Sequence, residues 1–114
     1  MNDKTQPIWA VTEEKIREAV QRIAEIANPM EIICFGSQAR GNANNNSDLD
    51  LMVVLEHVSD KVQESVRLRR ALSGLIMGVD ILVVDKARFD YWRDTPGNVY
   101  YEAVQDGKTV YQAG

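Results

Sequence analysis

The sequence predicts an α/β fold of the α+β kind, a small mixed β-sheet with helices packed on it. Three observations carry this. Runs with helical apolar spacing at residues 12–28 and 59–76 alternate with short β-branched runs at 31–35, 48–55 and 79–84. The link between the first two strands is tight and permits an antiparallel pair. The helix between the second and third is a crossover of the kind that joins parallel neighbours.

Element by element, Thr12 is placed to cap the first helix, and Glu13 and Glu14 complement the positive end of its dipole. Ile16, Ala19, Val20, Ile23, Ala24 and Ala27 then form one apolar face, and Asn28-Pro29 ends the helix. Glu31 to Phe35 reads as a buried strand. A short helix over Gln38–Arg40, capped by Ser37, leads into a polar loop, Gly41 to Ser47, with four asparagines. Asp48 to Leu55 is the second strand. Ser59 to Ile76 reads as a helix with Val62, Val66, Leu68 or Arg70, Leu72 and Leu75 near one side, and Gly78 marks the turn out. Val79 to Val84 is the third strand. Short helices are expected at Lys86–Arg93 and Val99–Gln105, with a terminal strand or extended tail at Gly107–Tyr111. Asp85 reads as a turn residue. At 114 residues the chain has the length of one domain, and residues 1–10 are expected to form a flexible N-terminal arm.

Composition narrows the function. An apolar fraction of 45% with 26% charged residues is the balance of a folded soluble protein. No apolar run approaches the roughly 20 residues needed to cross a bilayer, and no secretory signal opens the chain, so the cytoplasm is the expected home. The single Cys34 lies in an apolar strand and reads as a buried small hydrophobe. The formal charge of −4 argues against nucleic acid as the main partner, although a nucleotide needs only a local cationic site. The one basic cluster, Arg67, Arg69 and Arg70, reads as a solvated helix face.

The chemistry concentrates between Phe35 and Leu51. Side chains alternate along a strand, so Asp48 and Asp50 share a face while Leu49 and Leu51 enter the core. Two adjacent carboxylates repel unless a cation lies between them, and an oxygen-only donor pair suits Mg²⁺. Upstream, a strand ending in Gly36-Ser37 before a short helix offers backbone N–H groups and a hydroxyl to a phosphate, and Arg40 adds charge. A third acid, Asp80, starts the next strand between Val79 and Ile81, where it is costly to bury unless paired or on a metal. If the second and third strands are parallel neighbours, Asp80 lies beside the Asp48/Asp50 pair and can accept a proton from an attacking hydroxyl. Rival motifs fail. The asparagine-rich loop lacks the glycine and the glutamate of a calcium loop, and Gly36-Ser37 lacks the lysine of a Walker loop. One histidine and one cysteine argue against zinc, and His57 reads as an exposed turn residue.

These residues resemble a known family. Gly36-Ser37, ten intervening residues and Asp48-Leu49-Asp50 match the Gly-Ser-x10-Asp-x-Asp signature of the DNA polymerase β-like nucleotidyltransferases. With Arg40-Gly41 and Ser47 before Asp48, the string resembles the minimal nucleotidyltransferases, small prokaryotic proteins often encoded beside a HEPN-domain protein. The resemblance implies a nucleotidyltransferase fold and an antitoxin that transfers AMP from ATP to a tyrosine of a HEPN toxin. It further implies that Gly36, Ser37, Arg40 and Ser47 bind nucleotide, and that Asp48, Asp50 and Asp80 hold two magnesium ions. Gln38 departs from the family, where arginine is common at that position; this bears on triphosphate affinity. Two rival readings stay open: a silent antitoxin that acts by binding alone, and a small-molecule transferase, which ordinarily needs a second helical domain. The C-terminal aromatics, Phe89, Tyr91, Trp92, Tyr100, Tyr101 and Tyr111, are expected to divide between the core and an exposed patch. That patch would dock a HEPN-like protein or a second copy of the chain.

Overall fold

The computed structural model describes residues 6–114. The elements run α1 (Glu13–Ala27), β1 (Glu31–Phe35), α2 (Ser37–Arg40), β2 (Leu49–Leu55), α3 (Lys61–Ala71), β3 (Val79–Asp85), α4 (Lys86–Trp92), α5 (Val99–Asp106) and β4 (Lys108–Gln112). Of the arm expected at 1–10, residues 1–5 lie outside the described residues. Pro7 to Ala10 form a turn in which the Ala10 N–H donates to the Pro7 carbonyl at 3.0 Å, and Ala10 is buried.

The four strands form one mixed sheet in the order β3-β2-β1-β4. β1 pairs antiparallel with β2 and with β4, while β2 and β3 run parallel across the α3 crossover, as the link lengths require. β4 carries one extra residue, Val110, because Ile32 pairs with Tyr111 but Ile33 pairs with Thr109. Alternation divides the sheet residues between two cores. Ile32, Cys34, Leu49, Leu51, Val53, Ile81 and Val83 pack under α1 and α3. Ile33, Met52, Val54 and Val84 pack on the other side with Phe89 of α4 and Tyr100 and Ala103 of α5.

Local chemistry explains the element ends. Thr12 Oγ1 accepts from the Lys15 N–H, and Asn28 closes α1 in the left-handed region at φ 47°. α3 is shorter than its apolar pattern suggests: it stops at Ala71, and Gly74 takes φ 93° in the turns that follow. The expected α3 face is also corrected. Leu68 and Leu72, 40° apart on a helix, enter the core, whereas Val66 lies about 200° round from Leu68 and points outward. Val62 is 74% exposed. Asp85 is more than a turn residue: it ends β3 and caps α4, accepting from the Arg88 N–H at 2.7 Å.

Cations from two helices fasten the segment between α3 and β3. Lys15 Nζ donates to the carbonyls of Ile8 (2.6 Å), Ala10 (2.7 Å) and Ile76 (2.7 Å). Arg22 Nη1 donates to the Ala71 and Ser73 carbonyls, and Arg69 Nη1 to the Val79 carbonyl at 2.9 Å. The Ala71 and Ser73 carbonyls lie at the end of α3, where no further turn supplies a donor, so a cation is a strong partner for them. Among the described residues no helix is long and apolar enough to cross a membrane.

Candidate active site

The site forms where β1 ends and β2 and β3 begin. In the sheet Asp50 pairs in register with Phe35 on one side and Asp80 on the other. Register partners share a face, so Asp50 and Asp80 stand side by side on the face that α4 and α5 cover farther along. Asp48 precedes β2, which begins at Leu49 rather than at Asp48 as expected, but the Leu49 N–H donates to the Gly78 carbonyl at 2.9 Å and prolongs the ladder. The Asp48 carboxylate lies over Gly78, where a Cβ would collide with it. The register thus places the three acids at the same end of the sheet. Asp48 and Asp80 are exposed and Asp50 is half-buried.

Gly36 meets two demands at once. It takes φ 75°, which favours glycine, and a Cβ there would collide with Asp50 Oδ2. It is also the N-cap of α2. Ser37 is the first residue of that helix and not its cap, a correction that follows from the reversal of the chain one residue earlier. Ser37 is half-buried, and its carbonyl accepts from the Gly41 and Asn42 N–H groups. Arg40 is exposed, and its charge reaches Asp50. The Ser47 hydroxyl is engaged inside the asparagine-rich loop, accepting from the Asn44 N–H at 3.0 Å.

Electrostatics mark Asp50 as the group under tension. Burial lifts its carboxyl above the ordinary carboxylate range, Asp80 and Asp48 push the same way by like charge, and Arg40 opposes them. Burial likewise pushes the Cys34 thiol up, which keeps it protonated and inert. Gly78 and Arg69 escaped sequence reading, as did the contact that Gln38 makes. Gln38 Nε2 donates to the Ser47 carbonyl at 3.2 Å and ties α2 to the loop. Gly78 makes room for Asp48. Arg69, which reads in sequence as one member of a solvated basic face, reaches around the sheet edge to place Nη2 3.8 Å from Asp80 Oδ1. Nothing in the residue types or spacing of Gly78 and Arg69 marks these contacts in the sequence. Beside Asp48 opens a hollow of about 410 Å³ lined also by Arg69, Leu72, Met77 and Gly78 among others.

A family model describing a nucleotidyltransferase domain matches residues 13–104, which include the whole acid row and the Gly36-Ser37 turn. The chain belongs to the nucleotidyltransferase domain family. Solved structures agree on the fold of this nucleotidyltransferase. A Sulfolobus solfataricus protein assigned as a nucleotidyltransferase is 23% identical with a TM-score of 0.57, over 88% of this chain and 85% of that one. A toxin–antitoxin structure solved with AMP-PNP is 21% identical with a TM-score of 0.62, over 90% of this chain and 75% of that one. The spectinomycin adenyltransferase of Enterococcus faecialis, solved with ATP and spectinomycin, is 15% identical with a TM-score of 0.65. There the match covers 91% of this chain but only 57% of the larger enzyme. No curated protein matches the chain in sequence.

The donor set fits a hard divalent cation. It is all oxygen, it is crowded with like charge, and two glycines leave the carboxylates free to turn. Among the described residues no three acids converge closely enough to hold an ion as they stand. Asp48 rests over Gly78, and Asp80 stands 3.8 Å from the Arg69 guanidinium.

Proposed function

We propose that this nucleotidyltransferase moves AMP from ATP onto a hydroxyl of a partner protein, a tyrosine of a HEPN-type toxin, and so serves as a cytoplasmic antitoxin. The observation that carries the reading is the in-register pairing of Asp50 with Asp80, beside Asp48 and against Gly36. Two magnesium ions held by Asp48, Asp50 and Asp80 would neutralise the triphosphate and make its α-phosphorus more electrophilic. Gly36 and Ser37 receive phosphate oxygens on the β1 side of Asp50, with Arg40 adding charge, and Ser47 flanks them through the loop that Gln38 anchors. In-line transfer then requires the acceptor on the β3 side, where the hollow beside Asp48 opens. Asp80 takes the proton of the acceptor hydroxyl. Its oxygen bonds to the α-phosphorus as the bond to the bridging oxygen breaks, and pyrophosphate leaves. The toxin–antitoxin structure with AMP-PNP and the adenyltransferase with ATP are relatives in fold that support the choice of nucleotide and of partner class.

One observation favours the alternative of a silent antitoxin: Asp80 already has a cationic partner in Arg69, 3.8 Å away. A single experiment separates the two. The purified chain is incubated with α-labelled ATP, Mg²⁺ and the product of the neighbouring gene. Label on the partner, lost on Asp48→Asn, supports transfer. Neutralisation of the partner without label overturns it in favour of binding alone.

A further inference from the structure

Arg69 sits at the end of α3 with its guanidinium divided between two acceptors. Nη1 donates to the Val79 carbonyl at 2.9 Å, and Nη2 stands 3.8 Å from Asp80 Oδ1. The first contact is a hydrogen bond that fixes the arginine at the start of β3. The second is a looser ion pair between side chains that are 47% and 66% exposed, so it contributes little to stability and exchanges readily. A cation parked on one carboxylate of a three-acid row is a competitor for whatever else that row binds. Arg40 acts on the same row from the opposite side, where its charge lowers the pKa of Asp50.

We propose that Arg69 is a positioning residue for Asp80. It pairs with the third carboxylate until a divalent cation displaces it, and by competition it sets how tightly that cation binds. The proposal rests on the reading of Asp80 as a metal carboxylate. The Val79 hydrogen bond leaves the guanidinium beside the site after Asp80 departs, so the exchange is reversible without any movement of α3.

The test is Mn²⁺ binding to the full chain without nucleotide or acceptor, followed by electron paramagnetic resonance of the free ion. Removing the competing charge in Arg69→Gln should tighten binding, on the order of threefold to tenfold at low salt. The gain should shrink as salt screens the pair. Arg69→Lys, which keeps the charge, should stay close to wild type. In an Asp80→Asn background, Arg69→Gln should change nothing, because the pair no longer exists. The proposal is overturned if Arg69→Gln binds Mn²⁺ no tighter than wild type, if the gain survives in the Asp80→Asn background, or if the wild-type chain does not bind the ion. No transfer step enters this measurement, so a chain that binds Mn²⁺ as described but moves no AMP would refute the proposed activity and leave the role of Arg69 standing.

Discussion

Asp48 and Asp50 are reached by different routes, one exposed over Gly78 and one half-buried against Gly36, and substitution should tell them apart. Asp48→Asn and Asp50→Asn should each abolish AMP transfer, checked with labelled ATP, while circular dichroism stays native. Their stabilities should differ with pH. The Asp50 carboxyl is held above its ordinary range in the fold, so its protonated form contributes stability that is lost as pH rises through that raised value. Asp50→Asn should therefore melt higher than wild type at neutral pH, with the gap closing as pH falls into the ordinary carboxylate range. A gap that widens on acidification would contradict the assignment. Gly78→Ala places a methyl where the Asp48 carboxylate lies. A side-chain tip can swing away, so thermal melting should hardly move while transfer falls. The acids and the Gly36-Ser37 turn were legible in the sequence because alternation and spacing declare them. Gly78 and Arg69 were not, since their roles exist only once β2 and β3 lie in register.

At the scale of elements, strands were easier to read than helix ends. β1 has the bounds its β-branched run predicts, whereas α3 stops five residues before Ile76, where its expected span ended. Apolar residues continue past Ala71, but Leu72 and Leu75 pack in turns rather than on a helix, and the pattern does not distinguish the two. The same blurring made Val62 and Val66 look like core. Leu68→Ala should cost about 2–5 kcal/mol, whereas Val62→Ala should stay within about 0.5 kcal/mol, both measured by urea unfolding. Lys15 is the other element-scale device that escaped the sequence, because it joins carbonyls of the nearby Ile8 and Ala10 to that of the distant Ile76 without leaving a pattern. Lys15→Met should lower stability by about 1–3 kcal/mol in the same assay and loosen the segment that presents Gly78 and Asp80.

Across the whole molecule, the aromatic set divides as its spacing requires. Phe89 and Tyr100 are buried, Tyr101 and Tyr111 are half-buried, and Tyr91 and Trp92 stand out at 73% and 36% exposure with their rings in edge contact at 4.8 Å. If that pair anchors the partner, Tyr91→Ala combined with Trp92→Ala should weaken the complex at least tenfold by calorimetry, a loss typical of aromatic anchors. Labelling of a free tyrosine derivative should not change. The opposite margin of the sheet behaves differently. An edge strand is a row of open donors and acceptors, and a flat one is an invitation to stack molecule upon molecule. The extra residue at Val110 breaks the spacing of β4, so an incoming strand can match the ladder on only one side of it. That kink sets the exposed edge against the regular strand-on-strand stacking from which fibrils grow.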